Sequence, residues 1–178
     1  MSSFLELCQS RRSIRQYTNQ PVEQEKIDYI LRCALMSPSS KRTNPWEFFV
    51  LTVDDAQCTM HDAPCIIRRL AGVKTYGAQM FDTAMAAVVV AVDSSLTDTW
   101  QCDGAIAAQN MLLAAEEQGL GACWCQIYGR DNSEQTVRDV CHIPDSLNVL
   151  CVISLGYKNE ERKDYDLDKL KYDKIHRL

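Results

Sequence analysis

The chain lacks a long apolar run. Its longest, residues 84–92, covers about nine positions, half of what a helix needs to cross a bilayer. The opening Met1-Ser2-Ser3-Phe4-Leu5-Glu6 has neither the basic nor the apolar region of a secretory signal. No C-x-x-C pair occurs, Cys123-x-Cys125 has no second half to complete a zinc site, and the three histidines are scattered. A metal centre is therefore not expected. The nine cysteines are odd in number and several sit inside apolar runs, so they read as free thiols of a reducing cytoplasm rather than a disulfide framework. Positive charge is also short: 19 Lys and Arg against 24 Asp and Glu leave −5, which disfavours wholesale binding to nucleic acid or anionic membrane. No Ser/His/Asp or Cys/His arrangement suggests a nucleophile, and no repeat or linker divides the chain. What remains is one domain over residues 1–178, long enough to bury a core without staples.

The pattern of elements points to an α+β fold. Residues 4–10 read as a short helix. Pro21 is placed to open a second, since proline is tolerated where the first-turn N–H would be orphaned, and Ile27, Ile30, Leu31, Ala34 and Leu35 follow at helical spacing. Residues 47–53 and 87–92 read as strands, and residues 54–71 as helical but interrupted near Pro64. A helix from about Trp100 to Gln118 is apolar over residues 104–115 except at Gln109 and Asn110. A helix apolar all round must be covered all round, by a second subunit or by a central place in a monomer. Beyond it come a strand at 122–127, a helix at 133–141 with Ser133 as N-cap, and a strand at 147–155 closed by Gly156. The tail, residues 157–178, has mixed charge and few apolar anchors, so it is expected to lie as an extended arm over another surface. Strands and helices alternate without a strict βαβ repeat, which favours α+β over a doubly wound sheet.

Three stretches carry candidate chemistry. Arg11-Arg12-Ser13-Ile14-Arg15 concentrates three guanidinium groups and a hydroxyl, either as a phosphate clamp or as a solvated basic turn. The loop Ser37-Pro38-Ser39-Ser40-Lys41-Arg42-Thr43-Asn44-Pro45-Trp46 offers hydroxyls and an amide to a polar ring edge, or simply connects helix to strand. Gly119-Leu120-Gly121 is not a dinucleotide fingerprint: the third glycine is missing, and it follows a helix and opens a strand. Such a break can still leave backbone N–H groups open to a ligand.

Taken in order, Arg-Arg-Ser-Ile-Arg, Pro-Ser-Ser…Asn-Pro-Trp, Ala-Gln-Asn-Met-Leu-Leu-Ala-Ala…Gly-Leu-Gly-Ala-Cys-Trp and Ile-Pro…Leu-Gly-Tyr resemble the nitroreductase family of flavoenzymes over nearly the whole chain. The resemblance implies a mainly antiparallel central sheet flanked by helices, in an intertwined homodimer with two FMN sites at the interface. It implies that Arg11, Arg12, Ser13 and Arg15 bind the phosphate, ribityl chain and ring edge, and that Pro38, Ser39 and Ser40 reach the flavin from the other subunit. Asn44 would touch the ring edge, Trp124, Cys125 and Gln126 would run past the flavin, and Lys169 and Lys171 would complete the phosphate site, with Arg162 and Lys163 competing for that role. Arg42 stands where asparagine is expected and Gln126 where many relatives carry glycine, so both bear on the acceptor pocket, whose wall is expected around Arg42 and residues 62–80. The implied activity is electron transfer from NAD(P)H to a nitroaromatic, quinone or similar acceptor; storage or sensing of FMN is the alternative. Cys125, in an apolar strand, is expected to be an inert core thiol.

Overall fold

Val88-Val89-Val90-Ala91-Val92 is apolar at every position, and a strand of that kind must be covered on both faces. The computed structural model, which describes residues 3–53, 65–130 and 132–178, shows that cover. β1 (Trp46–Thr52), β2 (Ala86–Val92), β3 (Gly121–Gln126) and β4 (Asn148–Gly156) form one antiparallel sheet in the order β1-β2-β4-β3. β2 and β4 are the inner strands, and β2 is buried throughout. Alternation of side chains splits the core in two. Val88, Val90, Ile153 and Leu155 face α2 (Gln24–Leu35) and the long α4 (Trp100–Glu117). Val89, Val152, Cys123 and Cys125 face the opposite layer, which holds Phe81, α3 (Ile66–Arg69) and α5 (Ser133–Cys141). The expected α+β architecture is present.

Two helix starts differ from expectation. α2 begins at Gln24, not at Pro21, because its N-cap is Glu23, whose carboxylate accepts from Tyr157 Oη at 2.8 and 2.9 Å instead of capping the helix. α5 is capped by Asn132, held left-handed at φ 53°; Ser133 does not cap it but turns its hydroxyl inward to donate to the Val73 carbonyl at 2.9 Å. Within the single chain α4 leaves one face open, Cys102, Ile106 and Gln109 being exposed one helical turn apart, so it does not take the central place of a monomer covered all round. The break expected near Pro64 lies outside the described residues. α1 (Phe4–Ser10) stands where expected, closed by a reciprocal cap between Ser3 and Glu6.

The N-terminal segment is positioned by two close approaches. Ser13 bridges to Ala122, and the Ile14 N–H donates to the Ala122 carbonyl at 3.0 Å, so the segment after α1 lies along the outer edge of β3. Ile14 packs onto Gly121 and Tyr17 onto Gly156 so tightly that an added Cβ would fall 2.7 Å and 2.9 Å from them, respectively. Tyr17 Oη is buried, donating to the Ile14 carbonyl at 2.6 Å and sharing a 2.7 Å bond with Ser154 Oγ. The tail then returns along the same segment. Tyr17 bridges to Lys158, the Thr18 N–H donates to the Tyr157 carbonyl at 2.9 Å, and the Asn159 N–H to the Gln16 carbonyl at 2.9 Å. The extended arm therefore lies over the arginine segment of its own chain.

Candidate functional site

Because Ser13 pairs with Ala122, the arginine segment and the middle of β3 share one edge of the sheet. On an edge strand every second residue turns its N–H and C=O outward. Ala122 uses its outward carbonyl on Ile14, so by the same alternation Trp124 and Gln126 turn their backbone groups away from β4. Their side chains are joined, Trp124 Nε1 donating to Gln126 Oε1 at 2.9 Å, and Gln126 Nε2 donating to the Tyr128 carbonyl at 2.8 Å. Cys125 differs from both neighbours. Its side chain is buried in the core with Sγ 3.7 Å from the Gly77 carbonyl, and burial pushes its thiol pKa up against the opposing charge of Lys74. A thiol so held stays protonated at neutral pH and is a poor nucleophile. Alkylation at pH 7 followed by mass mapping should leave Cys125 unmodified in the native protein and label it only in denaturant; rapid native labelling would count against the inert reading. All eight cysteines among the described residues are free thiols.

None of the guanidinium groups of Arg11, Arg12 and Arg15 has a carboxylate partner among the described residues. Two of the four acids that line the neighbouring cleft, Glu116 and Glu160, are already engaged. Glu116 pairs with Lys158 at 2.8 Å, and Glu160 pairs with Arg162 at 2.5 Å while accepting from the backbone N–H groups of Arg15 at 2.5 Å and Gln16 at 3.2 Å. Partial burial pushes the Glu160 carboxyl up, but these donors outweigh it and hold the group below the usual carboxylate range. That cleft, of about 880 Å³, opens beside them, lined by Ser10, Arg12 and Ile14 on one side and by residues 158–164 on the other. Clustered guanidinium groups without ion-pair partners among the described residues suit a polyanionic group such as a phosphate.

Pro38, Ser39, Ser40 and Asn44 lie apart from this cleft, on the loop between α2 and β1. The loop is tied to α4 from within. Asp103, 4% exposed, accepts the Ser40 N–H at 3.0 Å, and Asn110 Nδ2 donates to Ser37 Oγ at 2.8 Å. Ser39 Oγ accepts the Asn44 N–H at 2.9 Å and donates to Asn44 Oδ1 at 3.0 Å. Lys41, Arg42 and Asn44 all take left-handed φ (52°, 59° and 45°), a conformation costing non-glycine residues roughly 1 kcal/mol or more each. Within one chain Lys169 and Lys171 are not brought to the arginines: Lys169 pairs with Asp166 at 2.9 Å on the exposed tail, while Arg162 and Lys163 line the cleft. Of the wall expected at residues 62–80, residues 62–64 lie outside the described residues. Gly121 serves the approach of Ile14 rather than a ligand.

Sequence reasoning missed Glu160, Tyr165 and Asp103. Glu160 is one acid in a mixed-charge tail, with no pattern to mark it, and Asp103 looks like any acid in a first helical turn. Asn110 gave a readable sign, as a break in an apolar run.

Comparison with known proteins settles the lineage. The model of the nitroreductase family matches residues 8–157. The chain belongs to the nitroreductase family. A protein of Archaeoglobus fulgidus provisionally named an NADH dehydrogenase/NAD(P)H nitroreductase is 34% identical over 99% of this chain and 98% of its own. The structure of an FMN-dependent nitroreductase from Clostridium difficile is 35% identical, covers 97% of this chain and 98% of its own, and superposes with a TM-score of 0.88. An NADPH-flavin oxidoreductase of Vibrio harveyi is 26% identical over 90% of this nitroreductase-family chain and 68% of its own. Family and fold thus agree with the expectation from sequence, and the chain is that of an oxidoreductase. No described helix is long and apolar enough to cross a membrane.

Proposed function

We propose that this protein is an FMN-dependent oxidoreductase that carries electrons from NAD(P)H to a small organic acceptor, a nitroaromatic, a quinone or similar, in the cytoplasm. The observation that carries the reading is the unpaired arginine cluster hydrogen-bonded to the edge of β3, in a chain whose relatives include an FMN-dependent enzyme. The residues present fit FMN. Arg12 lines an open cleft, and Arg11, Ser13 and Arg15 flank Arg12 in sequence. None of the three guanidinium groups has a carboxylate partner among the described residues, and each charge-assisted bond to phosphate contributes about 1.5–3 kcal/mol. Bound FMN would supply two-electron redox chemistry between donor and acceptor. Arg11, Arg12, Ser13 and Arg15 would hold its phosphate and ribityl end, Trp124, Cys125 and Gln126 would border the ring from β3, and outward N–H groups of Trp124 and Gln126 are available to hydrogen-bond it. Arg162 and Lys163 are better placed than Lys169 and Lys171 to add charge at the phosphate within one chain.

The reading includes a homodimer. Exposed Cys102, Ile106 and Gln109 on α4 lie on the same helix that anchors the 37–44 loop, and exposed Phe4 and Met36 line a groove with Asn110 and Leu113 of that helix. Covering that face with a second copy would let Pro38, Ser39, Ser40 and Asn44 reach the partner's flavin, with Arg42 at the acceptor side. Donor and acceptor would then use one pocket in turn, a ping-pong order. The deciding experiment is anaerobic addition of NADH or NADPH to the yellow holoprotein. Bleaching of the flavin band and its recovery on adding a quinone or nitroaromatic are expected. A colourless monomer that ignores added FMN would overturn the reading, and a yellow protein that neither donor bleaches would leave flavin storage as its function.

A further inference from the structure

The tail meets the arginine cluster at one aromatic side chain. Tyr165 is held in register with α1 by two bonds, its N–H donating to the Gln9 carbonyl at 3.0 Å and its carbonyl accepting from Gln9 Nε2 at 2.9 Å. The Arg12 guanidinium carbon lies over its ring, 4.5 Å from the centroid, and Arg11 Nη2 reaches its hydroxyl at 3.5 Å. Arg12 also donates from Nη1 to the Lys163 carbonyl. A guanidinium carries five N–H donors in its plane and none on its face. A guanidinium held over the ring and by one bond to Lys163 is restricted in its rotamers, while its other donors have no hydrogen-bond partner among the described residues and stay available to an oxyanion.

We infer that Tyr165 is a positioning residue of the phosphate clamp, its ring limiting the rotamers from which Arg12 presents its donors to the FMN phosphate. The inference rests on the flavin reading above. It follows from an entropic argument: an exposed arginine side chain loses rotamer freedom when it binds an anion, and a ring that already restricts it lowers that cost. The role belongs to the ring face, so the hydroxyl contributes little. The role is also confined to the phosphate end, because the hydrogen bonds and the ring contact of Tyr165 go to Gln9, Arg11 and Arg12, all in the N-terminal segment.

The test compares FMN with riboflavin, which lacks the phosphate, by quenching of flavin fluorescence on the full chain. Tyr165→Ala should weaken FMN binding about fivefold and leave riboflavin binding unchanged, while Tyr165→Phe should bind FMN like the parent. Equal losses for FMN and riboflavin would mean a merely structural role and overturn the inference, as would Tyr165→Phe behaving like Tyr165→Ala, or no change in either. Failure of the unaltered protein to bind FMN at all would instead defeat the flavin reading, and the inference with it.

Discussion

Replacing Arg12 with alanine is expected to weaken FMN binding by roughly ten- to a hundredfold, the effect of losing one charge-assisted bond of about 1.5–3 kcal/mol. Arg12 is singled out among the three arginines because it lines the cleft and is gripped from two sides, by the Tyr165 ring and the Lys163 carbonyl. Arg12→Lys should recover only part of the loss, since an ammonium keeps the charge but not the planar fork of donors. Raising ionic strength should narrow the gap between the parent and Arg12→Ala, because the interaction removed is ionic. Titration of flavin fluorescence reads all three. An Arg12→Ala protein with unchanged affinity would place the phosphate elsewhere.

Gly121→Val should cost about 3 kcal/mol of stability, a drop in Tm of about 6–12 °C for a domain of this size. The ground is steric: a Cβ at Gly121 falls 2.7 Å from Ile14 Cγ2 and 2.8 Å from Ile14 Cβ, and Ile14 is itself buried. Both sides are rigid, because Ile14 is hydrogen-bonded to the neighbouring Ala122. The same change should loosen flavin, since displacing Ile14 moves Ser13 and Arg15 with it. Adding Ile14→Ala to Gly121→Val removes Cγ1 and Cγ2, two of the three opposing atoms, and should restore part of the lost stability, while Ile14→Ala alone should destabilise by leaving a cavity. Thermal melts of the three variants decide the matter; additive losses in the double variant would refute the steric account.

The fold was legible where a periodic pattern and its physical cause coincide. The unbroken valine run announced a strand covered on both faces, and the alanine-rich 104–115 stretch announced a helix packed on more than one side. Element starts were harder to read, because caps compete with other partners. Glu23 is drawn to Tyr157, more than a hundred residues away, and Ser133 to Val73, so neither start could be read from its neighbours. The arginine cluster and the 37–44 loop were visible as concentrations of donors. What joins the cluster to its surroundings was not: Glu160 and Tyr165 act through contacts made only when the tail returns along residues 9–18. A lone acid or tyrosine in a charged tail carries no periodicity, and its role depends on closure between distant parts of the chain.

The loop between α2 and β1 divides into an anchored base and an untethered crest. Ser37 and Ser40 are fastened to α4 through Asn110 and Asp103, whereas Lys41 and Arg42 project into solvent without an ion-pair partner among the described residues. Mutational drift can therefore remodel the crest at little cost to the scaffold, while change at the base would unseat a helix. Under the proposed function, diversification of acceptor choice would have a natural locus at those two side chains, insulated from the machinery that keeps the molecule folded.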